Sequence, residues 1–132
     1  MPRPPLVTTV GVIGIVAGVF PLVELTAVAA SPRFAAWFLP LLRSMIPTRQ
    51  SLAIAIVFSI GIADVALGIG VLAGKTLALY GMVLRSFVAV PFDYLTWRAG
   101  SPVGALIGFT VNVFIVWALL RSASRHWFVA YR

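Results

Sequence analysis

The chain holds three carboxylates, Glu24, Asp64 and Asp93, and each falls inside a run of apolar residues, where an ionisable group must be paired, hydrated or put to use. Asp64 and Arg85 carry the clearest chemistry. If the chain turns at Lys75, Asp64 lies eleven residues before the turn and Arg85 ten after it. An α-helical hairpin then brings them level to within about one residue's rise of 1.5 Å. Asn112 falls near the centre of the next apolar run. Asp64, Arg85 and Asn112 therefore form an expected polar cluster at the middle of a bundle. Such a trio either fixes helices in register or lines an ion or proton path. A carboxylate committed to an arginine is poorly suited to carry protons, which favours register.

Glu24 and Asp93 pose a different question. Glu24 has no evident partner on its own helix and follows Pro21, which removes a backbone donor and bends or opens the helix. It is the first candidate for a proton or coupling site, with pairing to Arg33 or Arg43 as the alternative. Asp93 stands in "PFDYLTWR", where Tyr94 and Trp97 mark an interface and Arg98 is close enough to reach partway back. Its expected state is a hydrated boundary carboxylate, and a ligand or coupling role is the sharper possibility.

Two motifs suggest nucleotide chemistry and fail on spacing and context. "GIGVLAGKT" ends in Gly74-Lys75-Thr76, but a phosphate-binding loop requires glycine where Ile69 stands. Gly68, Gly70 and Ala73 fit a looser dinucleotide pattern, which has meaning only between a strand and a helix. The segment is read instead as a tight turn, with Gly74 ending one helix and Lys75 reaching for headgroups. Enzyme chemistry has little to work with. The single histidine, His126, stands beyond the last apolar run, and there are no cysteines, so thiol catalysis, thiolate metal sites and paired-histidine sites are excluded. The chain is read as a non-enzyme without catalytic or metal residues. No cofactor is expected, and a bound lipid or pigment would leave no mark in the sequence.

The elements that must position these groups follow from composition. Of 132 residues, 61% are hydrophobic and 10% charged, against roughly 45 to 50% and about 25% in soluble domains. The net charge of +7 does not argue for nucleic acid, because the basic residues other than Arg85 flank apolar segments where headgroups lie. Four stretches, about 6–30, 52–73, 77–96 and 103–120, are long enough to cross about 30 Å of hydrocarbon as helices. The first is too long for a signal-peptide core, although Ala27-Val28-Ala29 resembles a cleavage site. The expected fold is all-α: an integral membrane four-helix bundle forming one domain over residues 1–132. An interfacial segment, 31–51, joins helices one and two. In it Phe34, Trp37, Phe38 and Leu41 follow helical spacing and are expected to lie apolar side down, with Pro40 kinking or breaking the piece. Trp37, Trp97, Trp127 and Lys75 are the expected interface anchors.

Small residues assign the inward faces. Gly14 and Gly18 on the first span, Gly70 and Gly74 around the second turn, and Gly104 and Gly108 in line with Asn112 are expected to admit neighbouring helices. Gly81, Arg85, Ala89 and Asp93 form the matching stripe on the third span. Four crossings put Arg3, Lys75, Arg121, Arg125 and Arg132 on one side and Arg33, Arg43, Arg49 and Arg98 on the other. That small excess places both termini in the cytoplasm, and its near balance also suits a dual-topology antiparallel dimer.

The stretch from Val90 to Leu120, with "VPFDYLTW" leaving the third span and "VNVFIVWALL" in the fourth, resembles a group of small uncharacterised bacterial four-helix integral membrane proteins. The resemblance covers the last third of the chain. It implies a multi-pass protein of a bacterial cytoplasmic membrane, with Asp93 and Asn112 at recurring positions, and implies no activity. Two functions are expected. One is a non-catalytic structural or accessory subunit, packed in a homo-oligomer or a larger membrane complex, with lipid and other membrane subunits as partners and neither nucleic acid nor nucleotide. The other is a minimal oligomeric transporter or channel using Glu24 or the midplane cluster.

Overall fold

A computed structural model describes residues 2–130, and these form α-helices and turns with no strand among them. Arg132, counted above among the basic residues of the terminal side, lies outside the described residues. The helices are α1 (Pro5–Ala30), α2 (Pro32–Met45), α3 (Gln50–Leu72), α4 (Thr76–Arg98), α5 (Pro102–Leu120) and α6 (Ser122–Ala130). Helices α1, α3, α4 and α5 are each long and apolar enough to cross a bilayer, the mark of a multi-pass membrane protein. Large side chains such as Phe20, Phe58, Leu84, Phe87 and Leu106 point outward. That arrangement is stable where the surroundings are lipid rather than water.

Local chemistry sets the helix ends. Pro5, Pro32 and Pro102 occupy first-turn positions, where a missing N–H is no loss. Ser31 caps α2, its Oγ accepting from the Phe34 N–H at 3.3 Å. The glycine–lysine–threonine segment is a helix stop. Gly74 adopts φ 73°, its N–H donates to Val71 O at 3.1 Å, and the Lys75 N–H donates to Gly70 O at 2.9 Å. These two bonds are the Schellman pattern, which satisfies the last carbonyls of α3 and turns the chain into α4. Gly100, at φ 90°, ends α4 in the same way, with Ser101 N–H to Thr96 O at 3.2 Å.

The tightest seam joins α1 to α3. Gly11, Gly14 and Gly18 on α1 face Gly61 and Gly68 on α3, so the two backbones approach closely, with the Ile15, Leu22, Val65 and Leu72 side chains packed beside the glycines. A Cβ at Gly68 would stand 2.7 Å from the Gly11 carbonyl oxygen, and one at Gly18 would collide with the Gly61 carbonyl oxygen. Apolar packing then closes both ends. Val7, Val71, Leu79, Met82, Leu119 and Phe128 form one cluster, and Phe38, Leu42 and Ala53 anchor another under α2. The polar residues of α3, α4 and α5 lie between them.

Several expectations change. The connector is helical from Pro32 to Met45, through Pro40 rather than broken by it. Pro40 is exposed, so its ring and the carbonyl it leaves free face outward and cost little packing. The apolar face of α2 packs on Leu25 and Val28 of α1 and on Ile54 and Val57 of α3, so it is directed at the chain's own helices. Phe34, Phe38 and Leu42 carry that packing while Trp37 stays 64% exposed. The largest correction is Trp127. It is only 4% exposed and joins the core cluster with Phe128, with Arg3 5.8 Å from its ring centroid. The reason is α6, a short helix beyond the last apolar run. Ser124 Oγ donates to the Ala118 carbonyl at 2.7 Å, which holds α6 against the end of α5, and the helix then lays Trp127 and Phe128 over the bundle mouth.

Candidate functional site: a carboxylate–guanidinium–amide–carboxylate chain

Arg85 is the hub. Its Nε donates to Asp64 Oδ1 at 2.7 Å and its Nη2 to Asp64 Oδ2 at 2.6 Å, a two-point ion pair between α4 and α3. Its Nη1 donates to Asn112 Oδ1 on α5 at 2.9 Å. The structure therefore brings Asp64, Arg85 and Asn112 together. The hairpin at Gly74 levels Asp64 with Arg85, and the α1–α3 glycine seam buries Asp64 to 1% exposure, with α1 backbone taking the place of lipid above it. The Arg85 side chain keeps 27% exposure.

A fourth member joins them. Asn112 Nδ2 donates to Asp93 Oδ2 at 3.2 Å. The neighbours fix the amide's direction, because a flipped Asn112 would turn N–H groups toward the guanidinium and an oxygen toward the carboxylate. Asp93 thus faces α5 and the cluster, not Arg98. The Arg98 Nη1 lies 3.4 Å from the Tyr94 hydroxyl as its hydrogen-bond donor. Helical geometry explains this: Tyr94 is four residues before Arg98 and shares its face, whereas Asp93, five before, has rotated away. Position along the span suggested a boundary carboxylate, and rotation about the helix axis brought it inward.

Arg85, Asn112 and Asp93 line a cavity of about 400 Å³ whose other walls include Ala17, Val57, Ile60, Ala89, Phe92 and Val111. Met45 and Ile46, at the end of α2, also border it, so the space runs from the connector end toward the Asp64–Arg85–Asn112 cluster. It is apolar apart from this polar corner. Gly108 forms part of the floor: a Cβ there would collide with the Asp93 carboxylate.

The remaining candidates divide. Glu24 is half-buried on α1 and makes no hydrogen bond or ion pair with the described residues; Arg33 and Arg43 stand on exposed faces of α2. Gly14 lies against Met82 of α4 and Gly68 of α3, and Gly18 against Gly61 and Val65 of α3. Gly70 lies against Ala78 inside the α3–α4 hairpin, and Gly74 serves the turn, so the two do not make one helix-docking face. Gly104 is exposed and meets only Ser101 and Thr96 near the α5 start, because it lies in the first turn of α5, beyond the helix crossing. Lys75 and Trp97 are exposed near helix ends and Trp37 is exposed within α2, while His126 is exposed beside Arg125 on α6. Gly11 and Gly61, and Gly68 beyond its place in the dinucleotide-like pattern, are packing residues not singled out from the sequence. Their signal was present, since Gly11 and Gly18, like Gly61 and Gly68, are one heptad apart, with Asp64 inside the second interval.

No protein family, curated protein or solved structure matches this chain.

Proposed function

We propose that the chain is an integral membrane four-helix bundle that works without catalysis, as a small structural or accessory subunit in a homo-oligomer or a larger membrane complex. One observation carries this reading. All three guanidinium nitrogens of Arg85 donate to side chains of α3 and α5, and both oxygens of Asp64 are taken by that arginine. A group so fully committed acts as a clamp on three helices rather than as a relay that must exchange partners. The extended outward apolar faces leave room for lipid and neighbouring subunits, and the balance of basic residues favours both termini in the cytoplasm. Extraction into lipid nanodiscs with a mild polymer, followed by mass measurement of intact assemblies, tests the subunit role. The expected result is a fixed stoichiometry with itself or with larger membrane proteins, and a lone monomer would overturn it.

A second reading, the minimal oligomeric transporter, draws support from the cavity that reaches Asp93 and from Glu24, a half-buried carboxylate without a partner among the described residues. Glu24→Gln in liposomes is the direct measurement. Loss of a pH-driven flux that the native protein shows supports transport, and unchanged flux removes Glu24 from the path.

A further inference from the structure

We infer that the cavity that α4 lines together with α1, α2, α3 and α5 is a binding site for an apolar molecule carrying a protonated amine, with Asp93 as its counter-ion. The assignment goes beyond the subunit reading and does not depend on it. The site follows from a count of charges and hydrogen bonds. The cluster contains two carboxylates and one guanidinium. Asp64 takes the bidentate contact with Arg85 and is 1% exposed, so that pair is complete within the chain. Asp93 is left with one hydrogen bond, from the neutral amide of Asn112, and its Oδ1 accepts none from the described residues. It lines the cavity wall beside the Arg85–Asn112 corner. Among the described residues no cation touches Asp93, because the nearby Arg85 donates to Asp64 and Asn112 instead, and an ammonium group supplies both a contacting cation and a further donor.

The rest of the cavity defines the other end of the ligand. Val57, Ile60, Val88, Phe92 and Val111 line it, and about 400 Å³ lies within the range of roughly 300 to 1,000 Å³ typical of small-molecule sites. Ala17 adds a backbone feature. It lines the cavity, and Pro21, four residues on, lacks the N–H that would have bonded its carbonyl. Carboxylates outnumber guanidinium groups in the cluster, two to one. A ligand carboxylate would add a third negative group around one guanidinium, and a neutral alcohol would satisfy a hydrogen bond but leave the Asp93 charge unmatched.

The test is calorimetric titration of the full chain in nanodiscs of zwitterionic lipid, with empty nanodiscs subtracted. The probes are phenylbutylamine, phenylbutanol and phenylbutyrate, which share an apolar body and differ in the head. The amine is expected to bind saturably, one per chain and about tenfold or more tighter than the alcohol, with no saturable binding of the carboxylate. Asp93→Asn is expected to bring the amine down to the alcohol's affinity. Ala89→Phe fills the cavity without removing a polar atom, and is expected to abolish amine binding while helix content and elution volume stay native. Equal affinity for amine and alcohol overturns the inference. So does saturable carboxylate binding, absence of saturable amine binding, or amine affinity retained in either folded variant.

Discussion

Asp64 and Asp93 are carboxylates on adjacent helices of one hairpin, both joined to the same arginine–asparagine pair, yet the fold treats them in opposite ways. Asp64 is roofed by the α1–α3 glycine seam and spends both oxygens on Arg85. Among the described residues Asp93 hydrogen-bonds only to the amide of Asn112, lies against Gly108 and borders open space. The difference lies in the packing partner. A helix that approaches backbone to backbone excludes everything else, whereas α2, which crosses near the connector end on bulky Phe38 and Leu42, leaves a void beneath it. The same side chain is thus a structural clamp where glycines close the space and an available group where large residues hold it open.

Breaking the closed side should cost most. Arg85→Met leaves Asp64 buried without a counter-charge and is expected to destabilise the fold by about 3 to 5 kcal/mol. Asp64→Asn combined with Arg85→Met should recover a large part of that loss, because no unpaired charge remains. Denaturant titration followed by circular dichroism measures both, and additive losses would argue against a coupled pair. A simple charge swap is less informative, since an arginine at position 64 would have to enter the glycine seam.

The two glycine environments sharpen the comparison. Gly18→Ala drives a methyl against α3 backbone and should cost about 1 to 3 kcal/mol. Gly108→Ala meets only the end of the Asp93 side chain, which has the cavity to move into, so a cost below about 1 kcal/mol is expected. Thermal unfolding of the two variants side by side decides this, and equal losses would erase the distinction.

Smaller still is Asp93→Asn, expected to change stability by about 0.6 kcal/mol, the mean for side-chain hydrogen bonds within membrane bundles, as read by the same unfolding measurement. The absence of cysteine permits a last check by single-cysteine labelling. A water-soluble thiol reagent should modify Ala89→Cys on the cavity wall faster than Val10→Cys in the core, since thiol reactivity follows exposure. Equal rates would mean that the cavity is closed to water.

The polar cluster was largely legible because depth along a helix is arithmetic. Counting from Lys75 put Asp64 and Arg85 level, and Asn112 followed from its place in the fourth span. Asp93 is legible as an inward-stripe residue, but its place near the end of the span reads as a hydrated boundary carboxylate, and only helix rotation and the approach of α5 join it to Asn112. The amphipathic patterns of α2 and α6 were visible or nearly so, but what they cover was not. Trp127 reads as an anchor in any list of aromatic residues near a helix end, and only the hydrogen bond from Ser124 to Ala118 and the fold-back of α6 make it core.

The sequence by itself determined the class of the molecule. Long apolar runs, basic flanks and helix-stopping glycines are local properties, and in an apolar medium a backbone that must satisfy its own hydrogen bonds has little choice but to be helical. Tertiary structure decided which carboxylate is sealed and which stays open. That outcome depends on the rotation of each helix and on how closely its neighbour approaches, both set by many side chains at once.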